Sequence, residues 1–183
     1  TASESVAPGG GSVAALLGSL GAALGTMVAN LSAHKRGWDA RWEEFSEWAE
    51  RGKACHAELL ALVDADTRAF DELMAAFGLP KASEAEKSAR EAAIQRATRG
   101  AIDVPLRVME VALSSMQVLR AMAESGNPSS ASDAGVGALC ARSAVLGAHL
   151  NVKTNAGGLK ERAARDDYLA RAAAMAAQAV EQE

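Results

Sequence analysis

The chain has 183 residues, of which 49% are hydrophobic and 4% aromatic, and its formal net charge is −4. A chain of this length builds one core of ordinary size, so we predict a single domain over residues 1–183. The alanine-rich composition, poor in aromatic residues, favours helix over strand. Basic residues are mixed with acidic ones along the chain, which argues against a nucleic-acid partner.

Residues 12–33 contain no charged side chain, and a helix of that length suffices to cross a bilayer. The segment consists mostly of Ala, Gly and Ser, which contribute little to membrane insertion, so we interpret it as a core helix and predict no membrane partner. No export signal is recognisable, and Cys55 and Cys140 lack CxxC spacing. We therefore expect a cytoplasmic protein with both cysteines reduced.

The first predicted helix covers residues 12–33 and follows the flexible run at residues 8–11. Ser12 is predicted to cap it. Gly18, Gly21 and several alanines line this helix, so that neighbouring backbones can approach it closely. We predict a central, fully buried helix.

A second helix is predicted over residues 39–77. Its length exceeds that of an ordinary globular helix, so we expect a kink or break near Gly52. Ser83 and Glu86 have the spacing of a capping box and predict the start of a third helix. Pro105 marks either a kink or the start of a fourth helix.

The predicted fourth helix ends near residue 124, at a turn-rich junction. There Ser130 and Asp133 have the spacing of an N-cap and its N3 partner, and the fifth helix continues to about residue 155. The last helix is predicted over residues 159–181. The sequence thus predicts an all-α fold, an antiparallel bundle of five to six helices with a buried, small-residue first helix.

Two features near the start of the chain are candidates for a functional site. The glycines at residues 9–11 with Ser12 place a flexible backbone at a helix start, where free N–H groups attract anions. A plain loop and cap is the alternative, because the run fits neither the GxGxxG nor the Walker pattern. Asp66 is in register with the apolar positions of its helix, so its carboxylate faces inward and needs a partner. An interior ion pair with Lys or Arg is the alternative.

A third candidate is the pair Asn151 and Asn155, four residues apart on one face of the fifth predicted helix. Two amides there can read the edge of a flat heterocycle, since each offers a donor and an acceptor. Polar termination of the helix is the alternative. The three histidines are isolated at helical spacing, so we predict no metal site, and no Ser or Cys shows the pattern of a catalytic nucleophile.

Seven motifs, in order along nearly the whole chain, resemble the cyclodeaminase/cyclohydrolase family. They are Pro8-Gly9-Gly10-Gly11-Ser12-Val13-Ala14-Ala15, Asp66-Thr67-Arg68-Ala69-Phe70, Leu79-Pro80-Lys81, Val104-Pro105-Leu106, Gly126-Asn127-Pro128, Ser132-Asp133, and Asn151-Val152 with Asn155. The resemblance implies an all-helical dimer, either alone or fused to a formiminotransferase. The implied reaction converts 5-formiminotetrahydrofolate to 5,10-methenyltetrahydrofolate with release of ammonia, whereas some relatives hydrolyse the methenyl compound.

The resemblance also implies which residues surround the site. They are Gly9, Gly10, Gly11, Ser12, Asp66, Asn127, Ser132, Asp133, Asn151 and Asn155. Asp66 and Asp133 are the candidates for proton transfer and for stabilising a cation. Around residues 34–36 the family has a glycine-and-lysine run that this sequence interrupts, so only Lys35 is carried over. Lys35, a third candidate for the reaction, or Lys81 would meet the carboxylates of the folate tail.

We therefore predict a formiminotetrahydrofolate cyclodeaminase that needs no cofactor beyond its tetrahydrofolate substrate. Methenyltetrahydrofolate cyclohydrolase is the alternative activity, and a non-catalytic folate-binding module or a plain helical partner-binding bundle are the alternatives without catalysis. We expect a homodimer, because the small-residue first helix offers more surface to bury than one short bundle covers. A formiminotransferase is a further candidate partner.

Overall fold

The computed structural model of the protein describes residues 1–182, which contain five α-helices and no strand. The helices are α1 (Gly10–Ala33), α2 (Trp42–Phe77), α3 (Glu84–Ser125), α4 (Ala131–Ala156) and α5 (Arg162–Glu181). Short 3-10 turns at Asp39–Arg41 and Pro128–Ser130 precede α2 and α4. The predicted all-α fold is confirmed.

Consecutive helices run antiparallel, and α1 lies between α2 and α4. Gly11 near the start of α1 adjoins Asp66 late in α2, whereas Thr26 near its end adjoins Gly52 early in α2. α4 is likewise antiparallel to α1, and α3 packs against α1, α2 and α4. α5 covers α3 and α4 from the other side. The core therefore lies around α1, as the small residues of that helix predict.

The crossing of α1 and α4 is close enough to exclude a side chain. A Cβ atom at Gly21 would lie 2.7 Å from the carbonyl oxygen of Gly137 and 3.1 Å from the backbone nitrogen of Ala141. Both neighbours are backbone atoms, which cannot rotate away. The predicted close approach of neighbouring backbones at this helix is confirmed.

α1 is not fully buried, and the prediction that it would be is wrong. The helix carries a stripe of exposed apolar side chains at helical spacing, on the side that faces neither α2 nor α4, and each is 38–49% exposed. These residues are Val13, Leu16, Leu20, Met27 and Leu31. By length and composition α1 would suffice to cross a membrane, yet 56% of its most apolar window is buried inside this fold. A single layer of neighbours covers only part of a helix surface, which is why one face remains open.

The break predicted at Gly52 is absent, because α2 is one continuous helix from Trp42 to Phe77. A Cβ atom at Gly52 would overlap with the hydroxyl oxygen of Thr26 in α1. The glycine therefore marks a close contact between two helices rather than a weak point in one of them.

The break considered at Pro105 is also absent, so the predicted third and fourth helices are one helix, α3. A proline cannot donate to the carbonyl oxygen four residues earlier, here that of Ala101. The side chain of Asn155 in α4 takes over this role, because its Nδ2 donates to the Ala101 oxygen at 2.7 Å. The hydrogen bond that the proline removes from α3 is replaced by one between helices.

The predicted helix starts are partly right. Ser83 and Glu86 form both halves of the predicted capping box at α3. Ser130 is the N-cap of α4 but makes no side-chain cap bond there, so the predicted box with Asp133 is wrong. The side chain of Asn127 instead accepts from Ser129 N–H and starts the 3-10 turn that leads into α4.

The start predicted for the last helix at residue 159 is three residues early, since α5 begins at Arg162. Leu159 is buried, and the N–H of Lys160 donates to Oε1 of Gln95 in α3 at 2.9 Å. The backbone is therefore bonded to α3 at the point where helical periodicity alone would begin the helix.

We expect Gly21→Ala to lower the free energy of unfolding by about 1–3 kcal/mol, because the new methyl group meets backbone atoms of α4. Gly135→Ala is the matched control: Gly135 lies inside α4, and within residues 1–182 a Cβ atom there has no neighbour within 4 Å. Alanine there should stabilise the helix by about 0.5–1 kcal/mol. Urea denaturation checks both, and equal effects of the two substitutions would contradict the close crossing.

Candidate functional site

A cavity of about 230 Å³ lies where α1 begins. Its walls come from the lead into α1 and from α1, α2, α3 and α4. Six residues predicted for the site line it, namely Gly9, Gly10, Gly11, Asp66, Asn151 and Asn155. Phe70 and Leu73 of α2 add an apolar wall. The cavity thus combines an apolar wall with a few polar groups, which is the usual character of a small-molecule site.

Asp66 is held at the cavity by Ser12, whose Oγ donates to Asp66 Oδ2 at 2.8 Å. Ser12 is only 3% exposed, and it is the third residue of α1 rather than the predicted cap, a position taken by Gly9. Its hydroxyl therefore bonds to Asp66 of α2 instead of capping the N–H groups of its own helix. Within the described residues Asp66 accepts from this hydroxyl rather than pairing with the Lys or Arg of an interior ion pair.

The carboxylate of Asp66 occupies the space that a side chain at position 11 would need. An ideal Cβ atom at Gly11 would overlap with all three atoms of that carboxylate. At Gly10, by contrast, the nearest atom to such a Cβ would be Oδ1 of Asn151, at an ordinary 3.8 Å. Gly11 thus lets Asp66 approach the helix backbone, whereas Gly10 faces the open cavity.

The first turn of α1 supplies N–H groups at the same place. No side chain of the described residues caps the helix at Gly9, and the first intrahelical bond is the one from Val13 N–H to the Gly9 oxygen, at 3.1 Å. The N–H groups of the residues between them have no partner within the helix. They are therefore N–H donors at the wall of the cavity, beside the Asp66 carboxylate.

The two amides of α4 are both hydrogen-bonded through their nitrogen. Asn151 Nδ2 donates to the carbonyl oxygen of Gly147 at 3.0 Å, and Asn155 Nδ2 donates to that of Ala101 at 2.7 Å. α4 itself ends at Ala156. The amides therefore connect the cavity wall to α4 and α3, rather than terminating α4 as the alternative interpretation held.

Four other predicted site residues lie at the opposite end of the bundle in the same chain. They are Lys35, Asn127, Ser132 and Asp133. α1 has 24 residues, so about 36 Å separates its two ends. Within one chain the structure does not bring these residues to the cavity beside Asp66.

At that opposite end of the bundle, hydrogen bonds and a cation–π contact join the residues to their neighbours. The N–H of Asn127 donates to Oγ of the buried Ser32 at 2.8 Å. Lys35 Nζ lies 4.0 Å from the ring centre of Trp38, a cation–π contact. These contacts account for the local order without a ligand. Lys81 lies elsewhere again, exposed in the connection between α2 and α3.

A larger cavity of about 640 Å³ lies between α3, α4 and the end of α5. Its charged pair, Arg120 and Glu124, is an exposed salt bridge within one helix. It contains none of the predicted site residues. We therefore place the candidate site at the smaller cavity, where polar groups from several helices converge.

The sequence analysis did not identify the carbonyl of Ala101 as part of the smaller cavity beside Asp66, although Pro105 points to that carbonyl. A proline within a helix leaves the carbonyl four residues earlier unpaired, and such a carbonyl attracts a donor.

Among the described residues, no group of three His, Cys, Asp or Glu side chains is arranged to hold a metal ion. His56 instead shares a 3.0 Å contact with the Ser19 hydroxyl.

The chain is similar to known proteins over most of its length. The profile of the family described as Formiminotransferase-cyclodeaminase matches residues 1–174. A methenyltetrahydrofolate cyclohydrolase from Methylorubrum extorquens is 39% identical over 168 residues, which cover 92% of this chain and 81% of that protein. A formimidoyltransferase-cyclodeaminase from Rattus norvegicus is 39% identical over 152 residues, which cover 83% of this chain and 28% of the rat protein.

The fold has a solved counterpart. The crystal structure of formiminotetrahydrofolate cyclodeaminase from Thermotoga maritima matches with a TM-score of 0.87 and 28% identity, covering 99% of this chain and 86% of that one. Fold, cavity and relatives together define an all-α domain of the folate one-carbon enzymes. The chain belongs to the Formiminotransferase-cyclodeaminase family, which confirms the resemblance in its motifs.

We expect Gly11→Ala to displace Asp66, because the methyl group and the carboxylate cannot occupy the same space. The substitution should cost about 1–3 kcal/mol of stability, typical of overpacking. Gly10→Ala, one residue away, should leave stability within about 0.5 kcal/mol, a change typical of a site without such a feature. Thermal unfolding of both variants tests this difference, and a Gly11→Ala protein as stable as the parent would contradict the observed contact.

Proposed function

We propose that this chain is a formiminotetrahydrofolate cyclodeaminase, which converts 5-formiminotetrahydrofolate to 5,10-methenyltetrahydrofolate and releases ammonia. The observation that carries the proposal is the Asp66 carboxylate, held at a cavity by a neutral hydroxyl at 2.8 Å. A carboxylate without a cationic protein partner is available to a cationic ligand. Both the protonated formimino group and the methenyl product carry positive charge.

The proposed reaction needs a group that moves one proton. N10 of the folate attacks the carbon of the protonated formimino group, and a new C–N bond forms. N10 then loses its proton, and the former imino nitrogen gains one. Ammonia leaves as the C–N bond to it breaks, which produces the delocalised methenyl cation. We assign the transfer of this proton, and stabilisation of the cation, to Asp66.

The cavity size supports a partial enclosure of the substrate. At about 230 Å³ it is smaller than the 300–1,000 Å³ common for whole drug-sized ligands. The pterin ring would fill it, with Phe70 and Leu73 against its face, while the aminobenzoyl-glutamate tail remains outside. Lys81 is exposed on a connection beyond α2 and is our candidate for contact with the tail carboxylates.

Methenyltetrahydrofolate cyclohydrolase is the second candidate activity. The name of the Methylorubrum extorquens relative favours it, and that protein has the same 39% identity to this chain as the rat relative, over 168 rather than 152 residues. Hydrolysis of the methenyl cation is likewise assisted by a carboxylate, which stabilises the positive carbon and accepts a proton from the attacking water. The same residues therefore serve either activity, and the substrate distinguishes them.

The rat relative suggests the partners. Its name joins a formimidoyltransferase to a cyclodeaminase, and this chain spans 28% of its length. We accordingly propose a formiminotransferase as the enzyme that supplies the formimino adduct, in the cytoplasm. The proposed reaction is balanced without a cofactor beyond tetrahydrofolate, because it forms one C–N bond, breaks another and moves one proton.

Asp66→Asn should abolish most turnover of 5-formiminotetrahydrofolate, because the amide keeps the shape and loses the charge. We expect a decrease of at least 100-fold, on the order of the contribution of a general acid–base group. Asp64→Asn is the matched control, since Asp64 lies exposed two residues earlier on the same helix. The assay follows near-ultraviolet absorbance of the methenyl product together with released ammonium.

The outcomes of that assay separate the alternatives. Turnover of Asp66→Asn within about threefold of the parent, roughly 0.7 kcal/mol in barrier, would remove Asp66 from the mechanism. A parent protein that consumes the methenyl compound but not the formimino compound would be a cyclohydrolase. A parent that binds tetrahydrofolate and turns over neither compound would be a binding module.

We further propose a homodimer formed through the exposed apolar stripe of α1. α4 also carries apolar side chains that are more than half exposed, namely Val136, Leu139 and Leu150. A two-fold axis perpendicular to α1, through the middle of the stripe, would place the two α1 helices antiparallel. The Lys35 end of one copy would then lie beside the Asp66 end of the other. Such a dimer would reunite the predicted site residues that one chain separates by about 36 Å.

Leu20→Glu should dissociate this dimer, because it puts a charge at the middle of the stripe, where Leu20 is 49% exposed. Turnover should fall with the dimer if the site is shared. Val180→Glu on α5, 52% exposed and away from the stripe, is the control and should change neither property. Size-exclusion chromatography with light scattering gives the mass. A parent protein of monomer mass would overturn the dimer.

A further inference from the structure

The two amides at the cavity have a defined orientation. An asparagine amide has a donor end, Nδ2, and an acceptor end, Oδ1, and the end that faces a ligand decides what it recognises. Asn155 Nδ2 donates to the carbonyl oxygen of Ala101 at 2.7 Å. Rotation of the amide by a half turn would oppose two oxygen acceptors, which repel each other. Asn155 therefore presents Oδ1 to its surroundings.

Pro105 is the reason that the Ala101 oxygen needs a donor. In an uninterrupted helix that oxygen would accept from the N–H of residue 105, and proline has none. Pro105 is buried within α3, so water is a poor substitute at this point. The proline in α3 thus sets the orientation of an amide in α4.

Asn151 is oriented in the same sense. Its Nδ2 donates to the carbonyl oxygen of Gly147 at 3.0 Å, one turn earlier in α4. Its Oδ1 is the atom nearest to the side-chain direction of Gly10, at the cavity wall. Within residues 1–182 the structure records no donor to the Oδ1 atom of either amide. The side chains at the cavity therefore offer Asp66 as a charged acceptor and two amide oxygens as neutral ones.

We propose that Asn151 and Asn155 recognise the hydrogen-bond donors of the reduced pterin ring, the 2-amino group and the ring N–H groups, and that Pro105 is the positioning residue for Asn155. The assignment rests on the proposed function and divides the acceptors by charge. The neutral amide oxygens match the neutral N–H donors of the ring. The charged Asp66 is left for the cationic one-carbon centre, where an ionic interaction is stronger.

The test compares two ligands without requiring any variant. The dissociation constant of the parent protein is measured for tetrahydrofolate and for its analogue in which a methyl group replaces the 2-amino group. We expect the analogue to bind about tenfold more weakly, the usual effect of losing one neutral hydrogen bond. Equal binding of the two ligands overturns the proposal and leaves the proposed function intact. No binding of tetrahydrofolate would instead reject the proposed function.

Two variants then locate the effect. Asn155→Leu keeps the approximate shape of the side chain and removes the acceptor, so the tenfold preference should shrink to about twofold. Pro105→Ala restores an N–H that competes for the Ala101 oxygen and releases the amide, so the preference should fall to about threefold. Thr154→Ala, next to Asn155 but exposed on α4, should retain the full preference.

The preference is a ratio of two affinities, so a general loss of stability does not change it. Circular dichroism establishes that each variant is folded. A folded Asn155→Leu protein that keeps the tenfold preference overturns the role of Asn155. A folded Pro105→Ala protein that keeps it overturns the positioning role of Pro105.

Discussion

The structure depends on how closely α2 and α4 approach the backbone of α1. At Gly11 and Gly21 of α1, atoms of the neighbouring helices lie in the space that a side chain would occupy. At Gly21 the neighbour is the backbone of α4, which fixes the crossing. At Gly11 it is the carboxylate of Asp66, which is thereby brought to the start of a helix. The same short distance that forms the core thus also forms the site.

Much of this architecture follows from the sequence. Helical propensity and the capping box at Ser83 predict the helix content and a helix start, because both are local properties. The inward register of Asp66 and the shared face of the two asparagines are also local properties. Both can be predicted from the sequence, and the structure places these residues at one cavity. The motifs indicate the family, and the family profile, which matches residues 1–174, confirms it.

The errors have a common origin in contacts between helices. Gly52 and Pro105 both suggest a break when a helix is considered alone, yet each is compensated from another helix, by close contact with Thr26 and by the Asn155 amide. Ser12 has the sequence of a cap and serves Asp66 instead. Motif order does not give distance within one chain: Lys35 and Asp133 lie at the opposite end of α1 from Asp66, and the dimer that we propose would bring the two ends together.

The cavity has a further property that follows from its walls. Four of its sides are packed helices, and its remaining wall within the described residues is the irregular lead that contributes Val6, Ala7 and Gly9. Separating packed helices would expose core, whereas displacing a short irregular segment exposes little. We therefore expect exchange between the cavity and solvent to depend little on the stability of the bundle, so that substitutions in the lead alter the rate of ligand entry more than the temperature at which the protein unfolds.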